Sequence, residues 1–253
     1  MKISIITPTR NRPEQLSLVI DCVNNQTRKP DEWIIVDDGP EPVPQEIINK
    51  ISVPYVYHHY RSGLQTSTCA NTAKCLELAN ADQYIFFDDD DYYPKNYIEN
   101  FSKLLTQDNV MVGNGRWTDY RLSTGYYRIR LKTQDDVDKG THDCMVEWHG
   151  SGIRGETLKK NMIQVLKRHE SDLYNDVVCF KALFKNGKYK CLVEDFGDFS
   201  AISLKDYRTG NKGIIEAHRS NKGMKRDDDS YTFFKHHLGE DWIKYEKYLG
   251  TSR

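Results

Sequence analysis

Four consecutive aspartates, residues 88–91, are the side chains in this sequence most suited to chemistry. Adjacent negative charges repel one another, so a folded protein either leaves such a run in solvent or supplies it with a cation. The run follows an aromatic, β-favouring segment, residues 84–87, which predicts a buried strand that ends in carboxylates. Oxygen ligands at a rigid strand end suit Mg²⁺ or Mn²⁺ better than zinc. Such an ion would hold a diphosphate and offset charge on a departing phosphate group.

A second interpretation of the same run is a solvated turn that caps a helix beginning near Pro94. A second acidic strand end favours the metal interpretation. Asp37 and Asp38 follow the predicted strand at residues 33–36 and precede Gly39. Carboxylates in this position can accept hydrogen bonds from a base or a ribose, although these three residues also form a common turn sequence.

Strand and helix patterns alternate through the first half of the chain. Apolar patterns predict strands at residues 2–7, 33–36, 53–57 and 84–87, and helices from Pro13 and over residues 68–79. This alternation indicates an α/β fold with a parallel sheet and right-handed crossovers. Ligands of such sheets gather at the carboxyl ends of the strands, where the polar loops at 8–11, 37–38 and 88–91 should meet.

The second half is less regular. Its patterns predict a hairpin over 116–130, a turn-rich lead-in at 150–155, helices over 156–166 and 176–184, a mobile loop over 209–229 and an amphipathic helix from residue 230. The acidic residues 227–229 are expected to cap that last helix.

Composition argues against several classes of protein. The 36 basic and 37 acidic residues give a formal net charge of −1, whereas a generic nucleic-acid binder is usually basic. The 6 cysteines lack CxxC spacing, so we expect free thiols in a reducing compartment and no zinc site. Neither a signal peptide nor an apolar run of about 20 residues is recognisable. We therefore expect a cytoplasmic protein without an integral membrane segment.

The ordered motifs of residues 1–105 resemble family 2 glycosyltransferases of the GT-A fold. The matching segments are Pro8-Thr9-Arg10-Asn11 after the first strand, Gln26-Thr27 near the end of the first helix, Val36-Asp37-Asp38-Gly39, Asn71-Thr72-Ala73, and the Asp-x-Asp-Asp of residues 88–91 with the nearby Pro94. A looser match continues through the Gly-rich residues 150–155, Asn175-Asp176 and Gly187-Lys188-Tyr189.

This resemblance implies a single GT-A domain over residues 1–253, with a nucleotide-binding half at roughly 1–115 and an acceptor-binding half at roughly 116–253. The fold would be α/β, a mainly parallel sheet flanked by helices with a smaller antiparallel sheet on the acceptor side. The implied activity is metal-assisted, inverting transfer of a sugar from a nucleoside-diphosphate sugar, with a UDP-sugar favoured, to an acceptor hydroxyl. Mn²⁺ or Mg²⁺ would be the cofactor. A single displacement needs one base opposite the leaving diphosphate, and its transition state has oxocarbenium character.

The family also implies roles for individual residues. Those expected to contact the nucleotide are Thr7, Pro8, Thr9, Arg10, Asp37, Asp38 and Asp88, the last of them near the ribose. The metal ligands would be Asp90 and Asp91. Asp176 would be the general base, with Asp172 as the alternative. The chain lacks the Gln-x-x-Arg-Trp motif of processive polysaccharide synthases, which favours the addition of a single sugar.

Five further residues each carry two interpretations. His218 is either a third metal ligand or a structural residue. Arg219 and Lys222, in the predicted mobile loop, either neutralise donor phosphates or stay in solvent. Trp148 and His149 either form a platform for a sugar or acceptor or belong to the core.

Two other functions remain open. A sugar-1-phosphate nucleotidyltransferase shares the α/β class, but the loop at residues 8–13 lacks the glycines of a phosphate-binding loop. A non-catalytic nucleotide-sugar or glycan-binding module would bind the donor without turnover. The sequence does not separate glycan, lipid-linked, protein and modified nucleic-acid acceptors, and it leaves the oligomeric state open.

Overall fold

The computed structural model describes residues 1–138, 150–172, 175–184, 188–197, 200–205 and 223–250. Five predicted site residues lie outside these ranges: Trp148, His149, His218, Arg219 and Lys222. The part of the predicted 209–229 loop that precedes residue 223 lies outside them as well.

A seven-stranded, mostly parallel sheet forms the centre of the fold, in the order β3-β2-β1-β4-β8-β5-β9. Its strands are β1 Ile3–Thr9, β2 Glu32–Asp37, β3 Tyr55–His59, β4 Gln83–Phe86, β5 Val110–Asn114, β8 Ser151–Arg154 and β9 Lys190–Glu194. Strand β8 runs antiparallel to both of its neighbours, and every other pairing in this sheet is parallel. The predicted α/β class and mainly parallel sheet are confirmed.

Strand β8 corrects the prediction of a turn-rich lead-in at residues 150–155. Glycine and serine favour turns locally, but here they pair with strands on both sides. A Cβ on Gly152 would lie 3.0 Å from a Leu105 methyl carbon and 3.2 Å from the Tyr84 carbonyl oxygen. Gly152 is therefore needed for close packing inside the sheet rather than for a turn. The turn itself falls at Gly155, whose φ is +106°.

Helices cover both faces of this sheet. They are α1 Pro13–Asn24, α2 Gln45–Ile48, α3 Thr68–Leu78, α4 Tyr97–Leu104, α5 Gln134–Asp138, α6 Glu156–Arg168, α7 Asn175–Cys179, which continues as a π-helical turn over Phe180–Phe184, and α8 Thr232–Leu238, which continues as 3-10 turns over Gly239–Tyr248. The predicted helices that begin at Pro13, residue 68 and residue 156 are confirmed. The predicted C-terminal helix is α-helical only in its first part.

Two apolar clusters lie on opposite faces of the sheet, as the alternation of side chains along a strand requires. Ile5 of β1 joins Leu16 and Val19 of α1 on one face. The next residue, Ile6, joins Cys69 of α3 and Leu158 of α6 on the other. Both faces of β1 are therefore buried, which explains its continuous apolar sequence.

A four-stranded sheet, in the order β10-β6-β7-β11, packs beside the central one. Its strands are β6 Arg116–Arg121, β7 Tyr126–Leu131, β10 Ile202–Lys205 and β11 Lys225–Arg226. The hairpin predicted over residues 116–130 is β6–β7 and is antiparallel, as is the β7–β11 pairing. Strand β10 differs from the predicted antiparallel arrangement because it runs parallel to β6.

Asp227 joins this smaller sheet to α8. Its Oδ1 accepts a hydrogen bond from the Phe233 amide at 2.9 Å. Its Oδ2 accepts bonds from the Phe234 amide and from the Tyr120 hydroxyl of β6, both at 3.0 Å. The capping role expected of the acidic residues 227–229 is thus confirmed at Asp227, and the cap also anchors the helix to the sheet.

Candidate functional site

The carboxyl ends of β1, β2 and β4 meet at one edge of the central sheet. Strand β1 lies between the other two, with Thr9 opposite Asp37 on one side and Ile6 opposite Phe86 on the other. The parallel pairing therefore places the polar loop after β1 between two acidic strand ends, as predicted from the alternating pattern.

Asp37 is fully buried at the end of β2 and holds the turn that follows it. Its Oδ1 accepts a hydrogen bond from the Gly39 amide at 2.8 Å. Its Oδ2 accepts bonds from the Tyr57 hydroxyl at 2.7 Å and from the Val43 amide at 3.3 Å. Both oxygens thus already serve the protein's own chain, and a direct contact of this carboxylate with a nucleotide stays a prediction.

Asp38 fastens the loop between β3 and α3 to the end of β2. The Ser62 amide donates to its Oδ1 and the Ser62 hydroxyl to its Oδ2, each at 2.6 Å. Burial by itself would raise the pKa of Asp38, but hydrogen bonds from Ser62 and Ser67 lower it below its ordinary value. Asp38 is therefore ionised in the folded protein at neutral pH.

Arg10 is the exposed cation beside this pair, with 38% of its side chain accessible. Its Nη1 lies 3.7 Å from Asp38 Oδ2 and donates to the carbonyl oxygens of Leu64 and Gln65, both at 3.0 Å. The guanidinium thus lines the same loop that Ser62 holds. The predicted contact of Arg10 with a nucleotide stays a prediction.

The residues of β1 that were predicted to line a base pocket are packed into the protein, and their contact with a base stays a prediction. Thr7, Pro8 and Thr9 are all buried. The Thr7 hydroxyl accepts a hydrogen bond from the Trp33 indole at 2.9 Å, so it faces the core. The Thr9 carbonyl accepts a bond from the Asn71 side chain at 3.1 Å, which ties the Asn-x-Ala motif of α3 to the end of β1.

The four aspartates of residues 88–91, here called the acidic turn, have different surroundings. The Asp88 amide donates to the Tyr93 hydroxyl at 2.6 Å. Asp89 is buried, Asp90 keeps 22% of its side chain accessible, and Asp91 is buried with its Oδ1 accepting a bond from the Leu204 amide at 3.0 Å. The acidic turn is therefore built into the fold on one side and open on the other.

Arg12 neutralises part of this charge, and sequence reasoning missed it. One nitrogen, Nη1, donates to Asp89 Oδ1 at 2.9 Å and to Asp90 Oδ2 at 2.8 Å. The second oxygen of Asp89 accepts a bond from the Thr9 hydroxyl at 2.6 Å. Asp89, to which the family resemblance assigns no role, is a buried ion-pair partner. The sequence signal that could have identified this ion pair was a basic residue in the loop after β1, which pairs with β4, the strand that precedes the acidic turn.

The electrostatics of this cluster follow from its burial. Asp90 and Asp89 raise the pKa of the Arg12 guanidinium, which stays protonated. Burial raises the pKa of Asp89 to about 6, against the opposing effect of Arg12. Asn11, with a φ of +55°, makes the left-handed turn that precedes Arg12.

The predicted metal ligands have the right chemistry for a hard cation. Asp90 Oδ1 makes no hydrogen bond to the described residues, and Asp90 and Asp91 both line one small crevice beside α1. No group of three His, Cys, Asp or Glu side chains converges in the described ranges. Mg²⁺ is commonly held by one or two carboxylates together with substrate phosphates and water, so a two-carboxylate set fits it.

The two candidates for the general base occupy different settings. Asp176 lies in α7, which packs against α6 and α3. Asp172 is half exposed and pairs with the His169 ring nitrogen Nδ1 at 2.8 Å. The Thr66 hydroxyl donates to the Ser171 carbonyl, which connects the loop held by Asp38 to the segment that precedes α7. Asp176 stays the predicted base, with Asp172 as the alternative.

Comparisons with known proteins agree with this architecture. Residues 4–173 match the family described as Glycosyl transferase family 2. Over 85 residues the chain is 38% identical to a hyaluronan synthase of Pasteurella multocida, across 32% of this chain and 8% of that protein. A structure of S. aureus TarS 1–349 in complex with UDP has a TM-score of 0.50 at 14% identity, covering 83% of this chain and 62% of that chain. A structure of S. aureus TarS has a TM-score of 0.53 at 15% identity, covering 99% and 44%.

These relatives support the fold rather than a particular substrate. At such identities the structural likeness concerns the fold alone, and the chain spans less than two thirds of each of these proteins. Among the helices of the described ranges, none has the length and apolar character needed to cross a bilayer.

Proposed function

Because this chain belongs to glycosyl transferase family 2, we propose that it transfers a sugar from a nucleoside-diphosphate sugar, specifically a UDP-sugar, to an acceptor hydroxyl with inversion. The observation that carries the proposal is the meeting of Asp38 and the acidic turn on either side of the β1 end. One side of that edge holds the Arg10 guanidinium and the loop fastened by Asp38, against which a nucleoside would lie, and the other side holds carboxylate oxygens for a diphosphate-bound cation. The UDP held by one TarS structure supports the choice of uridine.

In the proposed donor complex the nucleoside lies against the loop that Ser62 and Arg10 hold. Arg10 supplies an exposed positive charge there, and Asp38 keeps the loop closed on β2. Asp88, the first residue of the acidic turn, is half-buried beside Tyr93 and is the proposed ribose contact. Burial of Asp37 and Thr7 gives these groups a rigid support, which reduces the entropy that donor binding costs.

Asp90 and Asp91 are the proposed ligands of Mn²⁺ or Mg²⁺. A bound divalent ion supplies positive charge that offsets the charge of the departing diphosphate. The chain's own contribution is to hold two carboxylates at a fixed strand end, with Asp91 fastened to β10 through the Leu204 amide. Preorganised ligands of this kind lose little entropy when the donor arrives.

Asp176 is the proposed general base. In an inverting displacement the base takes the proton of the acceptor hydroxyl on the face opposite the leaving group, so one carboxylate suffices. Helix α7 follows the segment that Thr66 binds, so the base helix is connected to the donor loop. Acceptors of the glycan, lipid-linked, protein and modified nucleic-acid classes all remain compatible with a hydroxyl nucleophile.

A cytoplasmic location is part of the proposal. The buried cysteines of the described ranges, Cys22, Cys69, Cys75, Cys179 and Cys191, are all free thiols. Free thiols are typical of a reducing compartment, where disulfides rarely persist.

Thermal unfolding with added nucleotides tests donor binding. We expect UDP and UDP-sugars to raise the melting temperature more in Mn²⁺ than in EDTA, and ADP and GDP to have smaller effects. The proposal is contradicted if no nucleotide stabilises the protein, or if nucleotides stabilise it equally with and without metal. Stabilisation by a sugar 1-phosphate together with UTP turnover would instead identify a nucleotidyltransferase.

Two substitutions separate binding from chemistry. Asp90→Asn should lose the metal-dependent part of donor binding, and Asp176→Asn should keep donor binding but lose transfer and donor hydrolysis. Asp229→Asn is the matched control, because the side chain of Asp229 is 97% exposed. Full turnover by Asp176→Asn with loss of turnover in Asp172→Asn would move the base to Asp172. Donor binding without any turnover in the unaltered protein would indicate a non-catalytic binding module.

A further inference from the structure

Arg12 occupies a position that its own helix does not explain. It immediately precedes α1, and a positive charge at a helix N-terminus is unfavourable because the helix dipole is positive there. A guanidinium carries only donors, so it cannot accept hydrogen bonds from the first amides of the helix either. The guanidinium instead contacts Asp89 and Asp90, so the acidic turn accounts for its position.

The two contacts of Arg12 differ in how firmly they are held. Asp89 is 4% exposed and its other oxygen accepts a hydrogen bond from Thr9, so this carboxylate is fixed inside the protein. Asp90 keeps 22% of its side chain accessible and lines the open crevice. Because both contacts use the same nitrogen, Arg12 can release Asp90 and keep its bond to Asp89.

A divalent ion on Asp90 would meet this guanidinium at close range. Mg²⁺ lies about 2.1 Å from a carboxylate oxygen that binds it. Arg12 Nη1 is 2.8 Å from Asp90 Oδ2. An ion on that oxygen would therefore be within about 5 Å of a positive nitrogen, a distance at which like charges repel appreciably even in a partly solvated site.

We propose that Arg12 is a positioning residue. Without metal its guanidinium neutralises the acidic turn and holds Asp90 in place, and a divalent ion that binds Asp90 displaces the guanidinium from that carboxylate. Asp89 then has a definite role, because it retains the displaced guanidinium beside the site. This inference rests on the metal-assisted form of the proposed function. It adds that the protein carries a competitor for its own metal site, which weakens the binding of free metal and keeps the acidic turn folded without it.

Removal of the positive charge of Arg12 should therefore tighten metal binding. The probe is Mn²⁺ alone, titrated into the full chain and followed by the electron paramagnetic resonance signal of the free ion. In Arg12→Met we expect the dissociation constant for Mn²⁺ to fall about fivefold or more, as loss of a like charge at this distance implies. Arg12→Lys keeps the charge and should stay within about twofold of the unaltered protein. A purely structural role for Arg12 predicts the opposite, weaker binding in Arg12→Met.

Thermal unfolding supplies a second readout. Without metal, Arg12→Met should melt below the unaltered protein because Asp89 loses its buried partner. Saturating Mn²⁺ should then raise its melting temperature more than that of the unaltered protein. Arg28→Met is the matched control, because Arg28 Nη2 pairs with Asp31 Oδ2 at 2.7 Å on the exposed surface. Its Mn²⁺ affinity and its melting temperature should both equal those of the unaltered protein.

The outcomes distinguish this inference from the proposed function. If Asp90→Asn abolishes Mn²⁺ binding but Arg12→Met binds Mn²⁺ no more tightly than the unaltered protein, competition by Arg12 is wrong and metal assistance stands. If the unaltered protein and Arg12→Met both fail to bind Mn²⁺, with and without UDP, metal assistance and competition are both wrong. Should Arg12→Met not fold, Arg12→Gln replaces it with the same expectations.

Discussion

Ser62 binds both carboxylate oxygens of Asp38, with its amide 2.6 Å from Oδ1 and its hydroxyl 2.6 Å from Oδ2. The same hydroxyl accepts a hydrogen bond from the Leu64 amide at 3.1 Å. One serine thus joins the end of β2 to the loop that carries the Arg10 contacts. The proposed nucleoside pocket depends on this junction.

Ser62→Ala should weaken donor binding. The variant keeps the amide contact but loses the hydroxyl bond to a charged group, so roughly 1.5 kcal/mol no longer holds the loop against β2. UDP binding must then order the loop, and the dissociation constant for UDP should rise by up to about tenfold. Calorimetric titration of UDP measures it. Ser102→Ala is the control, because the Ser102 hydroxyl binds only the Glu99 carbonyl in α4 among the described residues. Equal UDP affinity in both variants would show that the junction does not shape the pocket.

The lowered pKa of Asp38 predicts a dependence of stability on acid. A carboxyl group whose pKa is lower in the folded than in the unfolded state stabilises the fold above its unfolded pKa, and that contribution disappears as the pH falls through the folded pKa. Asp38→Asn should therefore be less stable than the unaltered protein at about pH 7, and the difference should shrink below about pH 4. Urea unfolding across this range measures it. A difference that stays constant with pH would mean that the Asp38 charge contributes nothing.

Asp227→Ala should destabilise the fold by about 2–4 kcal/mol, because it removes a helix cap and leaves the buried Tyr120 hydroxyl without this acceptor. Chemical unfolding measures the change. Asp229→Ala is the control within the same acidic run and should unfold like the unaltered protein, since its side chain is 97% exposed. Similar losses in both variants would argue for a general effect of charge rather than for the anchor at Asp227.

Gly152→Ala tests the correction made at β8. The added methyl would lie 3.0 Å from Leu105 and 3.2 Å from the Tyr84 carbonyl, and overpacking of this kind costs about 1–3 kcal/mol. Gly150→Ala is a close control, because its Cβ would meet the nearest atom at an ordinary 3.6 Å. We expect unfolding measurements to show a loss in the first variant and little change in the second. A neutral Gly152→Ala would mean that the sheet adjusts around β8.

The patterns of the first half of the chain predicted strands β1 to β4 and helices α1 and α3, but not α2 or β5. Alternating apolar runs and helical spacing depend on neighbours along the chain, so the strands ending at Thr9, Asp37 and Phe86 could be predicted with small shifts of their ends. The common edge of these strands followed from the parallel pairing that such alternation requires. Strand β8 could not be predicted this way, because its glycine and serine are extended through pairing with β4 and β5, which are distant in sequence.

In the candidate site, too, some features could be predicted from the sequence and others depended on the tertiary structure. The sequence by itself determined which residue types are available, namely two acidic strand ends and a run of four carboxylates, and it determined their order along the chain. Tertiary structure alone decided which carboxylate meets which partner. Asp37 turns inward to its own loop, Asp38 binds Ser62, and Asp89 pairs with Arg12, because these partners lie on neighbouring strands or loops and their approach depends on the packing of the whole sheet.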